Sequence, residues 1–267
     1  MRRASVAGTF YEAEKSTLEE QLEDCFAGVT RAGNDNVLGA VVPHAGYMYS
    51  GSVAAHVYAK LPDADTFVII GPNHQGIGSL IAVSLDIWET PLGNVEVDNT
   101  FVGMLSKRII DVDETAHRYE HSIEVQLPFL QFLFDNNFLF VPICMSLSDE
   151  GTAKDVGEDL ANAISKLDHK KVVMIASSDF THYEPDGIAR DKDGYVIEAI
   201  TELDVAKFYN RIYERYSSAC GVGPIAAVMH AAKKLGASSG KRLKYATSGD
   251  VTGDRSAVVG YGGIIIF

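Results

Sequence analysis

Eight histidines and three cysteines are the side chains in this sequence best suited to bind a metal or move a proton, and they are unevenly placed. His44 stands in Pro43-His44-Ala45-Gly46-Tyr47, and His74 in Gly71-Pro72-Asn73-His74-Gln75-Gly76. His182 stands in Ser177-Ser178-Asp179-Phe180-Thr181-His182-Tyr183. Each of these turns follows a short β-branched run that reads as a strand. In open α/β sheets, ligands bind beyond the carboxyl ends of the strands, so histidines delivered to that edge can converge. The glycines and prolines around them hold sharp turns and keep the side chains near the backbone. Cys220 lies at the start of an expected helix, where the N-terminal dipole favours the thiolate that binds metal or attacks a substrate. Glu120-His121-Ser122-Ile123-Glu124 opens another helix, with His121 and Glu124 three residues apart on one face. Tyr47 and Tyr49 beside His44, and Tyr183 beside His182, are placed to line a pocket for a flat or apolar ligand.

The other candidates are weaker. His56, His117, His169 and His230 follow no strand end inside a glycine-rich turn and read as structural or surface groups. Cys25 and Cys144 read as small core hydrophobes. No two cysteines form a CxxC, which excludes a disulfide scaffold and a cysteine-only zinc site. Gly221 to Ala226 matches G-x-G-x-x-A by letters, but it follows no clear strand and carries Pro224 in its turn, so it is not read as a dinucleotide site. There is no GxxxxGK[ST] loop, no HExxH and no GxSxG elbow.

The elements that must position these residues alternate in kind. Val37 to Val42, Thr66 to Ile70, Phe138 to Ile143 and Lys171 to Ala176 read as buried parallel strands. Gly51 to Leu61, Ser122 to Phe134, Ser148 to Leu167, Glu202 to Tyr213 and Gly221 to Leu235 carry helical spacing. This pattern predicts an α/β fold of three layers, a mostly parallel sheet with helices on both faces. Leu80 to Leu85, Lys244 to Ser248 and Ala257 to Phe267 read as antiparallel, which makes the sheet mixed. The most loop-like stretch is Asp186 to Gly194, and no linker or repeat divides the chain, so residues 1–267 are expected to form a single domain.

Composition narrows the function classes. The 267 residues hold 23 Lys and Arg against 36 Asp and Glu, a net charge of −13. So acidic a chain is a poor candidate for nucleic-acid binding, and it has no polybasic stretch for a membrane surface. Arg2 and Arg3 resemble the start of a leader, but no long apolar run follows, and a cytoplasmic protein is expected. The unpaired cysteines fit a reducing compartment.

These motifs occur in the order seen in the Memo family, also called AmmeMemoRadiSam system protein B. They are Pro43-His44-Ala45-Gly46-Tyr47, Gly71-Pro72-Asn73-His74, Trp88-Glu89-Thr90-Pro91-Leu92-Gly93, Glu120-His121-Ser122-Ile123-Glu124-Val125-Gln126-Leu127-Pro128, Ser177 to Tyr183, and Cys220-Gly221. Val6-Ala7-Gly8-Thr9-Phe10-Tyr11 also resembles that family's opening, with Glu12 where a proline is usual. Val222-Gly223 departs from the larger polar residues of some relatives. The resemblance covers essentially the whole chain. It implies the fold and pocket of class III extradiol non-haem iron dioxygenases. It implies His44, His74 and Cys220 as metal ligands, with the cysteine where the dioxygenases use a glutamate. His182 would be the pocket acid or base, with His121 and Asp179 as further catalytic groups and Glu120, Tyr47 and Tyr183 facing the ligand. It further implies a radical-SAM protein and an AMMECR-type protein as partners.

Two imidazoles and a thiolate leave a divalent ion with open positions, as a catalytic metal needs. Exchanging a carboxylate for a thiolate softens the set toward Cu(I) and Zn(II), and exposes the sulfur to oxidation beside O₂. The sequence therefore predicts a redox enzyme using Fe(II) or Cu on a small-molecule or peptide ligand. The alternatives are an adaptor that binds such a ligand in a vestigial pocket and a zinc hydrolase.

Overall fold

A computed structural model describes residues 1–267. In chain order the first elements are α1 (Lys15–Cys25), β1 (Gly39–Val42), α2 (Tyr47–Tyr58), β2 (Thr66–Pro72), β3 (Ile81–Val83), β4 (Trp88–Thr90) and β5 (Gly93–Val95). Next come α3 (Asn99–Val102), β6 (Asp111–Val112), a 3₁₀ turn (Glu124–Gln126), α4 (Leu127–Phe134), β7 (Leu139–Met145), α5 (Glu150–Ile164) and β8 (Val172–Ser177). The chain closes with β9 (His182–Glu184), α6 (Asp186–Thr201), α7 (Val205–Glu214), α8 (Val222–Lys234), β10 (Gly240–Thr247), α9 (Gly249–Thr252) and β11 (Val258–Ile266).

The main sheet runs in the order β10-β11-β1-β8-β2-β7-β3-β6, with β9 on β11. Its centre, β1-β8-β2-β7, is parallel. Every residue of β1, β2 and β8 is buried, as expected of strands covered on both faces. β11 joins β1 antiparallel and β3 joins β7 antiparallel, so the sheet is mixed as the sequence predicts. Adjacent glycines in β11 mark the two layers: a Cβ on Gly262 would strike Ile197 of α6, and one on Gly263 would strike Val57 of α2. Successive strand residues point to opposite faces, so α6 and α2 cover opposite sides. α8 shares the α6 side, since Gly39 meets Val228 and pairs in register with Ile266. No helix is long and apolar enough to cross a membrane.

Two expectations change. Asp186 to Gly194 is not a loop but the first half of α6. Its polar residues are held within the helix and from outside it: Arg190 reaches Asp186 one turn back at 2.8 Å and Asp250 at 2.7 Å, and buried Asp193 accepts from the Thr181 and Tyr245 hydroxyls at 2.6 Å each. Ala189, Val196, Ile197 and Ile200 supply the buried apolar stripe. The helix expected over Ser122 to Phe134 begins as a 3₁₀ turn and becomes α-helical only at Leu127. Pro128 sits in the first turn of α4, where its missing N–H costs nothing.

Candidate metal centre

The register of the parallel strands sets the site. Val42 of β1 lies level with Ser177 of β8, and Ile70 of β2 with Ala176. The chain therefore leaves three adjacent strands on one edge, toward His44, Asp179 and His74. One ring nitrogen from each of His44, His74 and His121 lies within 4.8 Å of the other two. The rings meet closely, at 5.2 Å between His44 and His74, 5.4 Å between His44 and His121, and 4.7 Å between His74 and His121.

Hydrogen bonds fix how these imidazoles are turned. Ser177 Oγ has one proton, which it donates to the Ser122 carbonyl at 2.6 Å, and it accepts from Gln126 Nε2 at 2.8 Å. Its 2.9 Å contact with His44 Nδ1 therefore needs the imidazole to donate, which leaves Nε2 as the lone-pair nitrogen. Glu120 does the same for His74. Its carboxylate meets His74 Nδ1 at 2.9 Å and lies 3.4 Å from His121 Nδ1. It also accepts the backbone N–H groups of His74, His121 and Ser122 at 2.6, 2.9 and 2.9 Å. Burial pushes the Glu120 carboxyl up, but the His74 bond and charge, the Ser122 N–H and His121 outweigh it and bring it to about 2. Burial, followed by the neighbouring imidazoles His121, His74 and His182, holds His44 well below its ordinary value, so its ring is neutral. Neutral imidazoles turned by carboxylate or hydroxyl partners are what metal ligation requires.

Cys220 meets the cluster at one point, with Sγ 3.2 Å from His44 Nε2. Asp179 N–H donates to the same sulfur at 3.2 Å. The compact grouping of donor atoms comprises the three histidines, without Cys220. The helix dipole does not govern this thiol: α8 begins at Val222, and burial, followed by the Asp179 charge, raises the thiol above its ordinary value. Asp179 is itself raised to about 6 by burial, against the lowering effect of the His44 N–H that it accepts at 2.8 Å.

The remaining expected site residues separate in space. His182 donates its backbone N–H to Ser218 Oγ at 2.8 Å and its Nδ1 meets the Ser218 carbonyl at 3.0 Å, which leaves Nε2 to take a proton. Tyr183 beside it is 79% exposed, its ring 5.9 Å from that of His182. Glu120 and Tyr47 are enclosed and face no ligand space. Glu120 is spent on the imidazoles, and the Tyr47 hydroxyl donates to the Val125 carbonyl at 2.6 Å. Glu124 shares no working face with His121. It turns away to Arg2 at 2.7 Å, to the Tyr11 hydroxyl at 2.7 Å and to the N–H groups of Ser5 and Val6. Arg2 is thus a buried structural cation. The strap it anchors lays the Phe10 ring 4.7 Å from His121. Sequence reasoning missed Ser177, Gln126, Arg2 and Phe10 as supports. Ser177 and Phe10 lay inside motifs already singled out, whereas nothing local marked Arg2.

Gly71 shows how tightly the histidine loops are packed. A Cβ there would lie 2.4 Å from Ser122 Oγ and 2.9 Å from Ile123 Cγ1. Gly71→Ala is expected to cost about 1–3 kcal/mol through this overpacking. Urea unfolding checks it, and an unchanged midpoint would show that the loop yields freely.

Comparisons with known proteins agree with this architecture. A family profile described as Memo-like protein matches residues 2–265. A MEMO1 family protein from Methanosarcina barkeri is 55% identical over 100% of both chains. One from Methanosarcina mazei is 54% identical over 100% of this chain and 99% of its own. Another, from Archaeoglobus fulgidus, is 50% identical over 99% of each. Among solved structures, an uncharacterized protein from Escherichia coli K12 shares the fold, with a TM-score of 0.57 at 12% identity over 86% of this chain and 99% of that one. By sequence along its whole length, with the histidine-bearing strand ends in place, the chain belongs to the Memo-like family.

Proposed function

We propose that this chain is a metal-dependent redox protein in which His44 and His74 hold an iron or copper ion with a third donor. The observation that carries the reading is the trio of ring nitrogens within 4.8 Å, two of the rings turned by Ser177 and Glu120. Donors of this kind bind a first-row ion at about 2.1 Å and leave positions open to a reactant. A bound ion of this class supplies Lewis acidity and one-electron chemistry. The protein's own groups do the rest. His182 accepts or returns a proton at Nε2, and Asp179 anchors the His44 backbone and the Cys220 sulfur. His121 is the third donor in the arrangement seen, and Cys220 is the softer one within reach of His44.

Elemental analysis of protein purified without oxygen tests the reading. Iron or copper near one equivalent is expected. His44→Ala should lower it at least about tenfold, since even outer-shell changes cost 10–100-fold. Comparing His121→Ala with Cys220→Ser assigns the third donor. Metal at background in the wild-type protein would overturn the proposal. Zinc with activity independent of O₂ would favour a hydrolase, and ligand binding that survives every ligand substitution would favour an adaptor.

A further inference from the structure

A second site lies away from the histidines. A groove of about 720 Å³ runs along α6 to the first residues of β10, lined by Arg190, Arg215, Lys241, Arg242, Asp191 and Glu198 among others. Both acids in it are already engaged: Asp191 faces Arg215 at 3.5 Å, and Glu198 faces Arg211 at 2.7 Å. Arg190 is likewise spent on Asp186 and Asp250. Lys241 and Arg242 are exposed and make no ion pair and no side-chain hydrogen bond. Lys241 and Arg242 follow one another in β10, so their side chains leave opposite faces of the sheet edge, and in a chain of net charge −13 each face carries an uncompensated cation and a local positive field.

The backbone beside them is also open. β10 ends the sheet, and its outward N–H and C=O groups between Lys241 and Ala246 have no backbone partner. Such an edge accepts an extended strand. Lys241, Arg242 and Lys244 would repel a second copy of the same edge, a common guard against self-pairing. The same charges favour an acidic strand, whose side chains would meet Arg242 on the α6 face of the edge or Lys241 and Lys244 on the α2 face. A nucleotide fits less well. The aromatic ring here, Tyr195, already stacks with Arg211 at 4.0 Å and Arg215 at 4.9 Å, and its hydroxyl bonds Glu214.

We propose that β10 and the α6 groove dock an extended acidic segment of a partner protein by strand addition. The probe is a short fluorescein-labelled peptide of alternating glutamate and valine, titrated into the full chain at low and moderate salt. Saturable, salt-sensitive binding is expected. Lys241→Glu with Arg242→Glu should weaken it at least about tenfold, equivalent to about 1.4 kcal/mol. The same peptide N-methylated at alternate residues should lose binding, because strand addition needs its N–H groups. Both substituted residues are exposed, so circular dichroism should show the variant folded. The proposal is overturned if the peptide does not saturate, or if the double variant or N-methylation leaves affinity unchanged. It is equally overturned if tripolyphosphate or an oligouridylate displaces the peptide at lower concentration than unlabelled peptide does.

Discussion

If the histidine cluster holds a divalent metal as proposed, Glu120→Gln is expected to lower its affinity by about 10- to 100-fold, the range found when an outer-shell partner of a ligating histidine is removed. The reason is geometric and electrostatic together. One carboxylate fixes the Nδ1 side of His74 and accepts three backbone N–H groups, one from the His74 loop and two from the His121-Ser122 turn. An amide keeps the shape but loses the charge, and it turns its NH₂ toward groups that are themselves donors. His74 is then free to rotate and His121 loses its anchor. A chelator competition titration with Co(II) or Zn(II) measures the effect. Affinity within threefold of wild type would show that the carboxylate does not order the imidazoles.

The same substitution has a pH signature. Glu120 is held at about 2, below its ordinary 4.5. A carboxyl depressed on folding adds stability that is full above the unfolded value and is lost as pH falls through the folded one. For this group that window runs from about 4.5 down to about 2, and the contribution is on the order of 3 kcal/mol. The stability difference between wild type and Glu120→Gln should therefore shrink as acid unfolding is followed through that window. A difference that stays constant from neutral pH to pH 2 would remove ionisation as the cause.

Arg2→Ala is expected to destabilise the protein by about 3–5 kcal/mol, because it strands a buried carboxylate. Glu124 is fully enclosed and sits in the interior, so it cannot follow its lost partner into water. Arg2 also stacks over Trp88 at 4.0 Å and donates to the carbonyls of His117 and Glu120 at 2.7 and 2.6 Å. It therefore ties the opening segment to the turn that carries His121. A double-mutant cycle with Glu124→Gln should show coupling well above the roughly 0.5 kcal/mol of independent sites. Additive losses would mean that the network is contact without energetic consequence. Protease cleavage within the opening strap should rise in Arg2→Ala, since Phe10 is no longer held over His121.

Sequence periodicity and tertiary structure contributed different parts of this picture. Short runs rich in β-branched and aromatic residues, such as Thr66 to Ile70, favour covered strands, so the layered α/β fold and the shared edge for His44, His74 and Asp179 were legible. The family motifs were legible too, since residue types around a site are local text. α6 was not, because its start reads as polar and turn-prone, and its helicity depends on Thr181 just before it and on Tyr245 and Asp250, more than fifty residues away. Nor was the enclosure of Glu120 and Tyr47, whose pocket-lining expectation rested on the family resemblance for Glu120 and on its neighbour His44 for Tyr47. Which groups face the open centre, and which spend their hydrogen bonds holding it, depends on burial and on partners more than a hundred residues apart. Arg2 and Glu124 are such a pair, and so are His44 and Ser177. Sequence spacing places a side chain at an edge; only the packed chain decides which way it turns.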